Sequence, residues 1–276
     1  MSTNDLHERL EAAALAIAEA TGRPSHDVVV VLGSASGDFP EHLEEAVAVP
    51  YPRIPGFPVP AVRGHAGTLY STFFGENRVL LLSGRVHAYE GYRPEVLTFA
   101  VRASLMAGCH TLVVTNAAGG CGDGMTPGSI VAISDHVNLA GINPLVGPND
   151  SRLGTRFPDM SDTYTPRLRR LVSEVAAEQD IAISEGVYAW FLGPTFETPA
   201  EVEMARRLGA DLVGMSTVPE VICARHMERH VIGLSVVTNL AAGIADHRLT
   251  HEDVAATAEL VKEDFSRLLT ALLPRI

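Results

Sequence analysis

Arg85, His87 and Tyr89 stand at alternate positions between Gly84 and Gly91. An extended backbone would turn all three side chains to one side. Arginine offers a two-pronged fork to a phosphate and histidine a further donor. The other reading of the same residues is a solvent-facing loop. Gly33-Ser-Ala-Ser-Gly37 offers backbone N–H groups and the Ser34 hydroxyl to an anion, or else a tight strand-to-helix turn. Ser216 precedes Thr217-Val-Pro-Glu220, which reads as a capping box opening a helix, and a helix N-terminus attracts anions. Glu197 accepts N–H protons and Asn239 both donates and accepts, so the two suit a polar heterocycle on which Phe196 would stack. Asn116-Ala-Ala-Gly-Gly120 permits close approach of backbone to a ligand, or makes a tight turn.

Several familiar chemistries are absent from these spacings. No Gly-Lys-Ser/Thr follows the first glycine loop, and no G-x-G-x-x-G occurs there. A hydrolase elbow needs serine midway between its glycines, where this chain has Ala35. No carboxylate pair suggests glycoside hydrolysis. The 11 histidines include no H-E-x-x-H, and no metal is expected. Cys109, Cys121 and Cys223 are widely spaced and odd in number, which fits a reducing cytoplasm rather than a disulfide framework. What remains is an anion pocket beside a pocket for a polar planar ring.

The elements that must hold these clusters follow from the hydrophobic pattern. Val28–Leu32 is wholly apolar, as a buried parallel strand should be. Strands are also expected at Arg78–Ser83, Thr111–Thr115, Ser129–Ser134, Ser184–Leu192, Asp211–Met215 and His230–Thr238. Helices are expected at Leu6–Ala20, Pro94–Met106, Pro166–Glu178, after the capping box Thr198-Pro-Ala-Glu201, and from Thr250-His-Glu-Asp253 to about Leu273. The stretches Val49–Gly67 and Ala140–Asp159 read as working loops. The alternation predicts an α/β fold, a single domain over residues 1–276 with a central mixed β-sheet flanked by helices. The polar clusters follow strands, and in open α/β sheets ligands bind beyond the carboxyl ends of strands. Six clusters would meet in one cleft.

Composition narrows the partners. Of 276 residues 46% are hydrophobic, and 21 basic against 33 acidic residues give a net charge of −12. That surface repels a nucleic-acid backbone but not a small anion in a local pocket. No apolar run is long enough for a membrane span, and Met1–Glu11 lacks the pattern of a signal peptide.

Taken together the motifs resemble the low-molecular-weight, homotrimeric purine nucleoside phosphorylases. The matching stretches are Gly33-Ser34, Gly64-His-Ala-Gly67, Gly84-Arg-Val-His-Ala-Tyr-Glu-Gly-Tyr92 and Thr115-Asn-Ala-Ala-Gly-Gly120. Further along come Phe157-Pro-Asp-Met-Ser-Asp162, Gly193-Pro-Thr-Phe-Glu-Thr198, Val213-Gly-Met-Ser-Thr-Val-Pro-Glu-Val221 and Thr238-Asn239. They span most of the chain in family order. The first loop departs from the family's usual Gly-Ser-Gly-Leu-Gly at Ala35 and Ser36.

The resemblance implies phosphorolysis of a purine nucleoside to free base and pentose 1-phosphate, in purine salvage, with orthophosphate as co-substrate and no cofactor. It implies that Ser34, His65, Arg85, His87, the Ala117 backbone and Ser216 hold phosphate. Phe196, Glu197, Val213 and Asn239 would bind the purine. Tyr89, Met215 and His251 would line the pentose, joined by Phe157 from a neighbouring subunit. His87, Glu197 and Asn239 would be the catalytic groups. Asn239 beside Glu197 favours the 6-oxopurines guanine and hypoxanthine, and so the (deoxy)ribonucleosides inosine and guanosine; an adenine site wants aspartate there. The competing readings are a methylthioadenosine phosphorylase, a dinucleotide-binding oxidoreductase and a non-catalytic ligand-binding relative. A cytoplasmic homotrimer acting on small molecules, without nucleic acid or membrane, is the expectation.

Overall fold

The computed structural model describes residues 5–33, 36, 39–43, 45–60, 67–244 and 251–276, with the side chains of 41–42 and 251–255 excepted. The chain opens with α1 (Leu6–Thr21), which Asp5 caps by accepting from the His7 N–H at 3.2 Å and Gly22 ends in the left-handed conformation at φ 67°. Strand β1 (Val28–Leu32) is buried at every position. Then come β2 (Val47–Pro50), β3 (Thr68–Phe74) and β4 (Asn77–Ser83), the last two joined by a two-residue hairpin at Gly75-Glu76.

Pro94–Met106 forms two helices instead of one, α2 (Pro94–Leu97) and α3 (Phe99–Met106). The break is Thr98, at φ −108° and ψ −1°, whose hydroxyl turns back onto the Pro94 carbonyl at 3.3 Å. The remaining elements are β5 (Thr111–Gly120), β6 (Ile130–Asn138), α4 (Pro166–Glu178), β7 (Ile183–Trp190), α5 (Pro199–Arg207), β8 (Leu212–Gly214), α6 (Val218–His226), β9 (His230–Leu240) and α7 (His251–Leu272). Thr250, expected to cap α7, lies outside the described residues.

The described strands form one mixed sheet in the order β2-β3-β4-β1-β5-β8-β7-β6-β9, and β9 returns to pair with β5. One half of the sheet is therefore open and the other closes into a ring. Strands β4, β1, β5 and β9 run parallel, whereas β8 meets β5 antiparallel and β6 meets β9 antiparallel. Helices cover both faces. Leu10, Ala13 and Ile17 of α1 pack with Phe99, Val101 and Leu105 of α3 and with Val218 and Val221 of α6. On the other face Leu168, Val172 and Val175 of α4 meet Phe265, Leu268 and Leu272 of α7. A smaller core joins Val202 and Ala205 of α5 to Val213 and Ala241. Full burial of such side chains contributes about 1.5–3 kcal/mol each, so these faces hold the sheet rigid beneath the loops.

Strand β5 is the hub, and it is longer than its apolar run. The segment Asn116–Gly120, a candidate turn from its glycines, continues the strand beside β9, with a register shift between Ala118 and Gly119. Small side chains let it fit between β9 and β8. The pairs Gly119 with Val213 and Gly120 with Leu212 run β8 back along β5. The chain leaving β8 therefore arrives beside Asn116.

Candidate active site

The convergence of loops differs from that of an open parallel sheet. Strands β1 and β4 deliver Gly33 and Gly84 from one direction, and β8 delivers Met215, Ser216 and Thr217 from the opposite one. They meet at the middle of β5. The Gly33 N–H donates to the Thr115 hydroxyl at 2.9 Å, and Ser36 Oγ lies 3.0 Å from the same hydroxyl. Tyr51 donates to the Gly84 carbonyl at 2.8 Å and anchors the start of the second loop.

Arg85 is buried, at 6% exposure, and turns toward β8. Its Nη1 donates to Ser216 Oγ at 2.9 Å and to Thr217 Oγ1 at 3.3 Å. Its Nε lies 3.1 Å from the Glu220 carboxylate, itself only 4% exposed. Asn116 Nδ2 donates to Thr217 Oγ1 at 2.9 Å. Residues from β5, the loop after β4 and the start of α6 thus share one buried network. A buried guanidinium set among hydroxyls suits a small oxyanion.

The alternation expected for Arg85, His87 and Tyr89 stops at His87. Residues Ala88–Glu90 form a 3₁₀ turn, and the Tyr89 ring folds back to stack on His87, with centroids 4.8 Å apart. The His87 N–H donates to Glu90 Oε1 at 2.6 Å, and His87 Nδ1 lies 3.4 Å from that oxygen. Tyr89 and Met215 meet at Gly193: a Cβ there would lie 2.4 Å from Met215 Sδ and 3.1 Å from Tyr89 Cδ1. Only glycine lets these two side chains close over the same spot.

Thr217-Val-Pro-Glu220 does not form the capping box its sequence suggests. Thr217 makes no cap hydrogen bond, and its hydroxyl serves Arg85 and Asn116. Glu220 faces Arg85. Thr198-Pro-Ala-Glu201, by contrast, forms a true box: Thr198 accepts from the Glu201 N–H at 3.2 Å, and Glu201 from the Thr198 N–H at 2.7 Å. That box fixes the residue just before it, Glu197. Burial raises the Glu197 pKa above the ordinary carboxylate value, with Glu201 adding to the rise. Its Oε1 is buried with no hydrogen-bond partner among the described residues.

Asn239 lies at the far end of β9 beside Gly119, where a Cβ would come 3.4 Å from Asn239 Nδ2 and 3.0 Å from Val213 Cγ2. Thr238 donates to Asn239 Oδ1 at 3.0 Å, and Asn239 Nδ2 donates to the Leu240 carbonyl at 3.1 Å. An amide NH₂ carries two donors, so one stays available. Tyr188 lies between the two halves, within electrostatic range of both Arg85 and Glu197. Its hydroxyl accepts from the Ser216 N–H at 3.3 Å, and burial pushes its pKa up to about 12.

The structure thus brings together Arg85, Ser216 and, through β5, Ala117. It places Tyr89 with Met215 and His87, and Val213 with Asn239. Phe196 stands half out of the surface beside buried Glu197. Phe157 is 86% exposed on the 140–159 loop, beside a recess of about 500 Å³ lined by His136, Asn138 and Ile222. Ser34 and His65 lie outside the described residues, as does the His251 side chain. Asn116 joins the site through its side chain where its sequence suggested backbone approach, Thr217 and Glu220 join it where their sequence suggested a helix cap, and Tyr188 joins it without having been singled out. Among the described residues no helix is long and apolar enough to cross a membrane, and no cluster of three His, Cys, Asp or Glu gathers as metal ligands would.

Comparison with known proteins places this geometry. Residues 27–274 match the phosphorylase superfamily model. Purine nucleoside phosphorylase 1 of Geobacillus stearothermophilus is 49% identical over 90% of this chain and 91% of its own. Two crystal structures of the Schistosoma mansoni purine nucleoside phosphorylase, one with inosine and one with adenosine, each superpose with a TM-score of 0.91 at 34% identity. Both cover 98% of this chain, and the inosine complex is matched over 96% of its own and the adenosine complex over 97%. Fold and sequence agree along nearly the whole length, and the chain belongs to the phosphorylase superfamily, among its purine nucleoside phosphorylases.

Proposed function

We propose that the chain cleaves 6-oxopurine nucleosides with orthophosphate, giving free base and pentose 1-phosphate. The observation that carries this reading is the buried junction of Arg85 with Ser216 and Thr217 at the middle of β5. It offers one anion a guanidinium, hydroxyls and the Ala117 backbone, with His87 alongside. Ser34 and His65 would complete the phosphate's shell.

Cleaving the glycosidic bond leaves positive charge on the sugar and negative charge on the departing purine. A phosphate dianion fixed on the sugar's reacting face is then both nucleophile and counter-charge. The catalysis is positioning plus electrostatic stabilisation. Glu197, ionised, accepts N–H protons of the base, and the second Asn239 N–H donates toward N7 or O6 as the base departs. Phe196 packs on the ring and Val213 floors it. Tyr89 and Met215 line the pentose, and His251 would join them. The exposure of Phe157 supports its service in a neighbour's pentose site, which makes a homotrimer the working assembly. Reducing conditions, and so the cytoplasm, suit three free, buried cysteines.

The test is release of base from inosine with and without orthophosphate, alongside adenosine and methylthioadenosine. Phosphate-dependent hypoxanthine release with adenosine nearly inert is the expected result. Cleavage without phosphate would make the protein a hydrolase. Activity confined to adenine nucleosides would overturn the assignment of Asn239. Asn239→Asp should move preference toward adenosine, and unchanged selectivity would count against the role given to this side chain.

A further inference from the structure

Thr217 carries an unusual backbone. Its φ of 74° and ψ of −53° are those of a positive-φ γ-turn, closed by the Val218 N–H donating to the Ser216 carbonyl at 2.8 Å. Such turns are rare and strained, most of all at a β-branched residue. The residue opens α6, and its sequence would let it cap that helix with Glu220 closing the box. Neither side chain does so. Both turn to Arg85, Thr217 through Oγ1 to Nη1 and Glu220 to Nε. Asn116 reaches across from β5 to hold the same hydroxyl. A strained turn persists only where its surroundings over-determine it. Here the surroundings that hold the Thr217 hydroxyl are Asn116 and one buried guanidinium, which Glu220 also meets.

We propose that Glu220 is a positioning residue for phosphate: with Thr217 it sets the orientation of Arg85, so that the guanidinium meets the incoming anion ready-aligned. This rests on Arg85 serving as a phosphate ligand. Glu220 is negative and close to the anion's place. If it acted only as a counter-charge, its removal would draw phosphate in more tightly. If it orients the fork, its removal loosens phosphate binding. The two roles differ in the sign of one measured constant.

The experiment compares Glu220→Ala and Glu220→Gln with the parent enzyme, varying orthophosphate at saturating inosine and inosine at saturating orthophosphate. Thermal melting is followed against inorganic phosphate in the same buffers. Removing groups that orient a ligand-binding side chain weakens binding about 10- to 100-fold in metal sites. A rise of that size in phosphate KM is expected for Glu220→Ala, with inosine KM within about 3-fold of the parent. Glu220→Gln, which keeps the shape and one oxygen, should fall between. Its melting temperature should still rise with phosphate, but at higher concentrations. An unchanged or lowered phosphate KM in the variants overturns the proposal, as does an equal rise in both KM values. Should the alanine variant not fold, the glutamine variant is read by the same criteria. A parent enzyme indifferent to phosphate would instead overturn the functional reading itself.

Discussion

Two arginines flank the same strand and are used in opposite ways. At the start of β4, Arg78 grips Asp27 with its fork, Nε to Oδ2 at 2.9 Å and Nη2 to Oδ1 at 2.7 Å, while Nη1 donates to Ser25 at 2.7 Å. Just beyond the end of β4, Arg85 meets Glu220 through Nε and hydroxyls through Nη1. The first pair is partly open to solvent; the second is buried. Arg78 is matched to its carboxylate donor for donor, and the effect appears in Asp27, whose pKa Arg78 lowers to about 2. Arg85 divides its donors instead, Nε to the Glu220 carboxylate at 3.1 Å and Nη1 to the Ser216 and Thr217 hydroxyls, at the junction of three elements. The same residue type closes a sheet end in one place and poises a site in the other.

The largest effect that would sharpen this contrast is Arg85→Lys against Arg78→Lys. Lysine has no fork and sits as a point charge. Arg85→Lys should raise phosphate KM by about 100-fold, as loss of charge-assisted, two-pronged recognition implies. Arg78→Lys should leave both KM values alone and only lower the melting temperature by a few degrees. Steady-state kinetics with phosphate varied decides it. Equal kinetic damage from both would dissolve the distinction.

Next in size is the base end. Glu197→Gln should lower kcat/KM for guanosine about 10²–10³-fold, equivalent to about 3–4 kcal/mol for charge-assisted hydrogen bonds from N1–H and the 2-amino group. The pH dependence carries the sign. Burial raises the Glu197 pKa, so the carboxyl keeps its proton above the ordinary glutamate value of 4.5. The base requires the carboxylate, so the acid limb of the parent's kcat/KM should lie above 4.5 and vanish in Glu197→Gln. For folding the same shift works in reverse. The raised group contributes stability below its unfolded pKa and loses it as pH rises through the folded one. At pH 7 the glutamine variant should therefore melt no lower than the parent, and a marked loss of stability would make Glu197 structural. Activity lost while stability is kept is the mark of a group held for chemistry.

The legible parts of this protein were those in which local pattern and tertiary demand agree. Val28–Leu32 and Pro166–Glu178 stand where their apolar spacing puts them, because a buried strand and an amphipathic helix need nothing beyond their neighbours. Thr198–Glu201 forms its box because nothing else competes for those side chains. Thr217–Glu220 has the same chemistry and fails, because Arg85 and Asn116 offer buried partners that the helix end cannot match. Asn116–Gly120 looked like a turn because glycine weakens strands, yet β8 and β9 pair with it from both sides. The ring that makes β5 the hub depends on antiparallel returns between distant segments, and no local periodicity records those. Arg85 and Ser216 were visible as types; their meeting across 131 residues was not.

The smallest effect tests the quiet end of the comparison. Asp27 is held below its ordinary pKa by Arg78, against an opposing contribution from burial. A depressed carboxylate contributes stability above its unfolded pKa and loses it as pH falls through the folded one. The Asp27–Arg78 pair should therefore act fully at neutral pH and fade between 3.8 and about 2. Because Arg78 is partly exposed, solvent screening limits the contribution to about 1 kcal/mol. Asp27→Asn should lower the melting temperature at pH 7 by about 2–4 °C for a chain of this size. The difference from the parent should close as the pH approaches 2, and phosphate KM should not move. A change in phosphate KM would mean that strand β4 transmits the state of one end to the other, and that its two arginines are not separate devices after all.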